Sequence, residues 1–263
     1  MLDKPLKIAI EAALEAGTYL KNNIGKIKKI EHKDGFVTNL VTEVDKGSEE
    51  KIIKKLISHF PDFDFLAEES GAAKIESDYR WIIDPLDGTI NYAHALPIYS
   101  VSIALEHNNE IVAGVIYNPA LNELFTAEKG KGAFLNNEPI RVSKTTRLIE
   151  SLIVTGFPYT INKNPEPEAT HFKNFLIAAQ AMRRLGSAAL DLAYVACGRF
   201  DGFYEGTLNP WDIAAGVLLV LEAGGKWTDY NGNPSTVYNK QVLATNGLIH
   251  NEMIEILQKS TSN

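Results

Sequence analysis

Apolar and polar positions follow two periods along the chain. Apolar residues recur every three or four positions over residues 5–23, 45–60, 169–181, 188–196, 211–223 and 251–257, which predicts helices. Short apolar or alternating runs at residues 26–32, 63–67, 81–83, 152–155, 200–205 and 241–245 predict strands. Residues 99–106 and 110–117 flank a His-Asn-Asn turn and predict a hairpin, and the KDG segment at 33–35 predicts a turn. Because strands alternate with helices, we expect a layered α/β fold with helices packed on sheets.

The chain shows no internal repeat, low-complexity tract or flexible linker. Its character changes after about residue 149, where an antiparallel-looking middle gives way to alternating helices and strands. We therefore predict two lobes, residues 1–145 and 146–263, packed together as one compact unit. The first lobe would carry most of the acidic residues considered below, and the second would complete the site.

Net charge, cysteine count and the length of apolar runs restrict the kinds of protein that this chain could be. The 263 residues carry a formal net charge of −7, which argues against nucleic-acid binding by bulk charge. The single cysteine, Cys197, excludes an intramolecular disulfide and a cysteine zinc cluster, and we expect it to be a small core residue. No apolar run reaches the roughly 18–20 residues that span a bilayer, and the N-terminus lacks a signal-peptide pattern. We expect a cytoplasmic protein that does not bind membranes.

The most informative segment is residues 81–91, WIIDPLDGTIN. An apolar strand ends in Asp84, Asp87 follows three residues later, and Gly88-Thr89 can begin a helix. Free backbone N–H groups at a helix start attract phosphate, whereas two aspartates would repel it. A hard divalent cation between the aspartates removes that conflict, and Mg²⁺ prefers such oxygen ligands. Taken alone, the same segment is equally consistent with a surface turn.

Three further acids have ordinary structural interpretations when each is considered alone. Glu68 lies at the end of an apolar strand within FLAEES, where adjacent carboxylates are usually solvated. Asp212 lies in the first turn of an apolar helix, and Asp45 precedes another helix, so both could serve as caps. Together with residues 81–91, however, these acids indicate a metal site assembled from separate segments.

These motifs resemble those of the inositol monophosphatases, within the superfamily that includes the fructose-1,6-bisphosphatases. The resemblance lies in LVT before Asp45, EES at 68–70, WIIDPLDGT at 81–89 followed by NY, GSAA at 186–189, and WDIAAG at 211–216 followed by EAGG. The motifs occur in the family's order and cover almost the whole chain. The resemblance implies the family's alternating αβαβα sandwich. The chain departs from the family's common motif at Ala67 and Ile90, and neither position is a ligand in that motif.

The resemblance also implies a metal site. It implies that Glu68, Asp84 and the Leu86 carbonyl bind one Mg²⁺, and that Asp84, Asp87 and Asp212 bind a second. A third, weaker Mg²⁺ would depend on Glu68. Thr89, hydrogen-bonded to Asp45, would orient and activate the attacking water. The amides of Gly88 and Thr89 would hold the phosphate. Polyol hydroxyls would contact Gly186, Ser187, Ala188 and Glu205, assisted by Asp87 and Asp212.

We therefore expect a Mg²⁺-dependent phosphatase that converts inositol monophosphate to inositol and phosphate. The nearest alternative is the same chemistry on fructose-1,6-bisphosphate, histidinol phosphate, a nucleotide 3′-phosphate or a dinucleotide phosphate. Glu205 suits a neutral, hydroxyl-rich substrate better than a second phosphate. His94 is interpreted as a loop or interface histidine. A regulatory binding protein that kept the fold is less favoured, because every expected ligand is present. A homodimer and inhibition by lithium are implied by the resemblance alone.

Overall fold

The computed structural model describes residues 3–27, 29–32, 40–73 and 77–259. The described residues form seven α-helices: α1 (Asp3–Asn23), α2 (Glu43–His59), α3 (Thr89–Ala93), α4 (Glu166–Ala178), α5 (Ala188–Ala196), α6 (Pro210–Glu222) and α7 (His250–Leu257). They also form fifteen strands: β1 (Ile30–His32), β2 (Leu40–Thr42), β3 (Asp64–Ala67), β4 (Gly71–Ala73), β5 (Tyr79–Asp87), β6 (Ser100–His107), β7 (Glu110–Asn118), β8 (Glu123–Glu128), β9 (Gly132–Leu135), β10 (Glu138–Pro139), β11 (Leu152–Thr155), β12 (Ala181–Arg183), β13 (Gly202–Gly206), β14 (Lys226–Thr228) and β15 (Gln241–Thr245).

Two large sheets organise the chain. The first has eight strands in the order β10-β9-β8-β7-β6-β5-β3-β4, antiparallel except where β3 runs parallel to β5. The second has five strands in the order β12-β11-β13-β15-β14, with β11 parallel to both of its neighbours. Strands β1 and β2 pair separately as a short antiparallel ribbon.

The helices fill three layers around these sheets. Helices α1 and α2 cover one face of the eight-stranded sheet, and a core that includes Leu20, Ile52 and Trp81 lies beneath them. Helices α5 and α6 lie between the two sheets in the largest apolar core. A third core contains Phe175 of α4 and Met253 of α7, which pack against the five-stranded sheet. The order is therefore α-β-α-β-α, and the predicted layered fold class is confirmed. The division into lobes 1–145 and 146–263 stays a prediction.

The longer predicted elements occur close to their expected places. Helix α5 and strand β15 match their predicted bounds, and the hairpin is formed by β6 and β7. The predicted helix over 169–181 was wrong at its end, because the chain becomes extended at Ala179 and residues 181–183 pair with β11. The predicted turn at 33–35 lies outside the described residues. Cys197 follows α5 and is only partly buried, so it is less enclosed than predicted.

The length and hydropathy of the helices bear on membrane insertion. None of those in the described ranges combines the length and apolar character that crossing a bilayer requires.

The buried histidine of α7 holds the end of the five-stranded sheet. His250 is 1% exposed, and its two ring nitrogens lie 2.9 Å from the hydroxyls of Thr228 and Thr245. The Thr228 hydroxyl donates its single proton to the Asp229 carbonyl, so it accepts a hydrogen bond from Nε2–H of His250. Nδ1 then accepts from Thr245, which leaves His250 neutral. A second ring proton would remove that acceptor.

We expect acid to destabilise the protein partly through His250. Burial, followed by the positive charge of Lys226, lowers the pKa of His250 to about 4. Stability should therefore fall as the pH drops from about 6.5, the ordinary histidine value, because the unfolded chain binds a proton that the folded chain does not. The loss should level off below about pH 4. Urea unfolding of wild type and His250→Gln as a function of pH measures this effect.

The variant should be less stable near neutral pH and should lose less stability on acidification. If the free energy of unfolding falls by the same amount in both proteins as the pH is lowered, His250 does not contribute to the acid sensitivity.

Candidate active site

Two parallel strand ends bring the first pair of carboxylates together. Ala67 of β3 pairs with Ile83 of β5, and the next residues are Glu68 and Asp84. The Glu68 amide donates to the Ile83 carbonyl at 3.2 Å, which extends the pairing by one residue. Neighbouring parallel strands end at the same edge of a sheet, so the two acids lie at one edge. The Glu69 amide donates to the Glu49 carboxylate of α2 at 2.8 Å and fixes the turn that follows.

A β-bulge explains how Asp84 and Asp87 reach the same cavity. On a regular strand, residues three apart point to opposite faces. Asp84 pairs with Ser102 and Asp87 with Ser100, so three steps along β5 match only two along β6. The extra residue shifts the register, and both aspartates line one cavity. The Ser48 hydroxyl donates to the Pro85 carbonyl at 2.8 Å and holds the bend from the side of α2.

Asp212 reaches the cavity from the N-terminus of α6. Its carboxylate accepts from the Asn209 amide at 2.6 Å, which completes a capping box at the start of the helix. The interpretation of Asp212 as a cap is confirmed, and its role as a metal ligand stays a prediction. Asp45 differs from its interpretation as the capping residue, because Thr42 is the N-cap of α2 and Asp45 is the third helical residue.

All four candidate metal ligands line a cavity of about 750 Å³: Glu68, Asp84, Asp87 and Asp212. Burial, followed by the negative charges of the other three carboxylates, raises the pKa of Asp84 well above its usual value. Burial raises the pKa of Asp87 to about 6, although hydrogen bonds from Ser187 and Ala189 oppose the shift. Burial and the charge of Glu68 raise the pKa of Asp212. The site therefore holds more negative charge than it can stabilise unaided.

The donor set fits a hard divalent cation, which would relieve this repulsion. As placed, however, no three His, Cys, Asp or Glu side chains within the described ranges are gathered closely enough to hold one ion. These carboxylates instead accept hydrogen bonds from backbone amides. Asp84 accepts from the Leu86 amide at 3.0 Å, and Asp87 accepts from the Ala189 amide at 2.9 Å. One oxygen of each carboxylate is held by these bonds.

The candidate catalytic pair is formed as predicted. The Thr89 hydroxyl lies 2.9 Å from Asp45 Oδ1 and 3.0 Å from the Leu86 carbonyl oxygen. A hydroxyl has one proton and can donate to only one of these acceptors at a time. The second oxygen of Asp45 accepts from both the amide and the hydroxyl of Thr42. Asp45 is fully buried behind Thr89, and burial raises the pKa of its carboxyl group.

Gly88 begins the short helix α3 at the cavity wall. Its φ of 90° lies in the left-handed region, and an added Cβ would come within 2.9 Å of the Ile98 carbonyl oxygen. Glycine is therefore required there. No side chain caps the first turn, so its amides remain available to an anion. The Asn91 side-chain amide donates to the carbonyls of Ile98 and Leu185, which ties α3 to the chain before α5.

The predicted substrate-contacting residues line the same cavity: Gly186, Ser187, Ala188 and Glu205. The Ser187 hydroxyl caps α5 and donates to Asp87, which connects the two halves of the site. Glu205 packs so closely over Gly156 that a Cβ at that position would overlap its carboxylate. Burial, followed by the charge of Asp212, raises the pKa of Glu205 to about 8. His94 is exposed and lies outside the cavity.

Sequence patterns missed part of the cavity wall. Residues 156–160 of the β11–α4 loop line it, as do the cationic residues Lys46, Arg184 and Lys240. The loop residues follow no helical or strand period, and the isolated cations belong to no motif. Their position becomes apparent only when the second sheet is placed beside the first.

Comparisons with known proteins agree with this geometry. The model of the inositol monophosphatase family matches residues 1–262. An inositol-1-monophosphatase of Mesorhizobium japonicum is 42% identical over 98% of this chain and 97% of its own length. A fructose-1,6-bisphosphatase/inositol-1-monophosphatase of Thermotoga maritima is 39% identical over 97% of this chain and 96% of its own length. The crystal structure of the extragenic suppressor protein suhB of Bartonella henselae superposes with a TM-score of 0.93 at 40% identity, covering 98% of this chain and 100% of that one.

The fold and site define a phosphatase of the sugar-phosphatase type. The chain belongs to the inositol monophosphatase family. The predicted family and enzyme class, a phosphoric monoester hydrolase, are thereby confirmed.

We expect Asp84→Asn to stabilise the protein when divalent cations are absent. The substitution removes one of the crowded charges, and asparagine can keep the hydrogen bond from the Leu86 amide. Each kcal/mol of repulsion relieved should raise the melting temperature by about 2–4 °C for a chain of this size. Mg²⁺ should stabilise the variant less than wild type, because one ligand charge is lost. Thermal unfolding with and without Mg²⁺ measures both effects.

Asp201→Asn is the matched control. Asp201 is also buried, but its carboxylate accepts from Ser143 and from the Leu152 amide, away from the cavity. That variant should lose stability and keep the wild-type response to Mg²⁺. A lower melting temperature for Asp84→Asn in the absence of divalent cations would contradict the proposed repulsion.

Proposed function

We propose that the chain is a Mg²⁺-dependent phosphomonoesterase that hydrolyses inositol monophosphate, with myo-inositol 1-phosphate as substrate, to inositol and phosphate. One observation carries the proposal: four carboxylates and the Thr89–Asp45 pair meet at a cavity beside the uncapped first turn of α3. An uncompensated cluster of carboxylates would reject a phosphate ester. With cations bound, the same cluster becomes a phosphate site.

The cations would be held by oxygen ligands from three segments. We assign Glu68, Asp84 and the Leu86 carbonyl to one Mg²⁺, and Asp84, Asp87 and Asp212 to a second, with a third ion dependent on Glu68. When bound, Mg²⁺ supplies Lewis-acid activation of water and charge neutralisation at the phosphoryl and leaving oxygens. The protein residues must keep these carboxylates deprotonated and oriented, which is the role of the backbone amides that donate to Asp84, Asp87 and Asp212.

Thr89 and Asp45 would direct the attacking water. When the Leu86 carbonyl oxygen binds a cation, the Thr89 hydroxyl is left with Asp45 as its acceptor. The Thr89 oxygen would then accept a hydrogen bond from the water, which aims a water lone pair at phosphorus. Asp45 cannot rotate to another partner, because Thr42 holds its second oxygen through two hydrogen bonds. The amides of Gly88 and Thr89 would bind phosphoryl oxygens.

The wall opposite the phosphate would bind the polyol. Glu205 presents a buried carboxyl group whose raised pKa, about 8, lets it act as a hydrogen-bond donor or acceptor near neutral pH. Gly186, Ser187 and Ala188 would present the first turn of α5 to the remaining hydroxyls. A neutral, hydroxyl-rich leaving group suits these residues, because Asp87 and Asp212 lie nearby and would disfavour an anion.

Fructose-1,6-bisphosphate is the second candidate substrate. Lys46, Arg184 and Lys240 line the cavity and offer cations for a second phosphate. The Thermotoga maritima relative carries both activities in its name. Glu205 opposes this alternative, since a buried acid raises the cost of placing a second phosphate beside it.

Three further properties belong to the proposal. We infer that the protein is a homodimer, that it acts in the cytoplasm, and that lithium inhibits it. These inferences rest on family resemblance and on the lack of a membrane-spanning helix in the described ranges.

A panel of phosphate esters assayed with Mg²⁺ tests the function. We expect the purified protein to release phosphate from myo-inositol 1-phosphate with a higher kcat/KM than from fructose-1,6-bisphosphate. EDTA should abolish turnover and added Mg²⁺ should restore it, because the carboxylates alone cannot bind the ester. Asp84→Asn should be inactive although it folds. Turnover that persists in EDTA would overturn the metal-dependent mechanism, and a preference for the bisphosphate would favour the second candidate.

Thr89→Ala should mainly lower kcat. Loss of the hydroxyl removes the group that aims the water, and such proton-transfer help is typically worth about 10²- to 10⁴-fold. Thr89→Ser keeps the hydroxyl and should retain most of the rate, so steady-state kinetics of both variants separates chemistry from packing. Mg²⁺ affinity should change little in either. A normal kcat in Thr89→Ala would remove this residue from the mechanism.

A further inference from the structure

The loop that follows β11 forms one wall of the cavity, and none of the sequence motifs described above includes it. Its residues 156–160 line the cavity together with the four carboxylates. Tyr159 lines the cavity and is 46% exposed, so its side chain is not packed into a core. An exposed aromatic side chain is ordinary by itself. Its position among candidate ligands is what requires an explanation.

The loop has a defined shape that aims Tyr159. Phe157 packs edge-on against Phe172 of α4, with ring centroids 5.6 Å apart. The Pro158 carbonyl accepts from the Ile161 amide at 2.9 Å and closes a turn around Tyr159. At the other end, Gly156 lies directly against the carboxylate of Glu205, which lines the same cavity. These contacts hold Tyr159 at the tip of the turn.

The surroundings of the Tyr159 hydroxyl are strongly acidic. Its electrostatic neighbours are the four candidate metal ligands: Glu68, Asp212, Asp87 and Asp84. A phenol in such surroundings keeps its proton, so it is a hydrogen-bond donor and not an anionic metal ligand. The cavity offers several acceptors to such a donor, and a phosphoryl group bound beside the carboxylates would add its own oxygens to them.

We propose that the Tyr159 hydroxyl donates a hydrogen bond to a phosphoryl oxygen of the substrate, opposite the amides of Gly88 and Thr89. This inference rests on the proposed function, because it needs a phosphate in the cavity. It makes the β11–α4 loop part of the phosphate site. The loop would then shield one side of the phosphate from solvent, while the carboxylates and their cations occupy the other.

Binding of inorganic phosphate, the reaction product, tests the inference without turnover. Isothermal titration of wild type and Tyr159→Phe with phosphate in saturating Mg²⁺ compares the two directly. We expect phosphate to bind roughly tenfold more weakly to the variant, the usual effect of losing one hydrogen bond to a charged acceptor. The kcat/KM for myo-inositol 1-phosphate should fall by at least as much. The melting temperature of each protein without ligands shows that the compared samples are folded.

Tyr238→Phe is the matched control. Tyr238 is similarly exposed, and its hydroxyl bonds Glu106 and lies near Arg80, outside the cavity. That variant should bind phosphate as wild type does. If wild type binds phosphate and hydrolyses the ester while Tyr159→Phe matches it in both, the Tyr159 assignment is wrong and the proposed function stands. If wild type neither binds phosphate nor hydrolyses any ester, both proposals fall together.

Discussion

Mutual repulsion among the carboxylates that line one cavity is the constraint on which the rest of this structure depends. Four acidic side chains line one cavity, and burial raises the pKa of three of them: Asp84, Asp87 and Asp212. Such a cluster lowers stability as long as no cation neutralises it. The fold tolerates them by donating a backbone amide to each of these three aspartates. Those amides orient the side chains, and bound cations would complete their neutralisation.

The candidate site also lies where the first large sheet meets the helices that separate it from the second. Asp87 ends the long strand β5 of the first sheet, yet it accepts hydrogen bonds from the start of α5. Asn91 of α3 donates to the Leu185 carbonyl, also just before α5. Asp212 arrives on α6, which lies between the two sheets. The first sheet alone supplies neither Asp212 nor Glu205, so any sliding of one large sheet over the other would disassemble the cavity wall. The substrate contacts proposed for Glu205 and Tyr159 would depend on the same junction.

Much of this architecture could be predicted from the sequence, because it follows from local pattern and specific motifs. Periodicity located the helices, and the residues 81–91 motif identified Asp84, Asp87 and Gly88 together. The bulge in β5 could not be predicted, since it depends on pairing with β6. Three-residue strands such as β12 and β14 are too short to show a period. Tyr159 lies in a loop without regular spacing, and only the packing of the second sheet beside the first places it over the acids. The hydrogen bonds from backbone amides to Asp84, Asp87 and Asp212 could not be predicted from the sequence either.

The central claim is that these four carboxylates bind divalent cations. Crystals grown with Mn²⁺ in place of Mg²⁺, with diffraction measured near the manganese absorption edge, test it directly. We expect at least two anomalous peaks in the cavity, each within coordination distance, about 2.0–2.3 Å, of carboxylate oxygens from Glu68, Asp84, Asp87 or Asp212. The side chains should have rotated towards the ions from their positions here. Crystals at saturating Mn²⁺ that show no anomalous peak in this cavity would contradict the account.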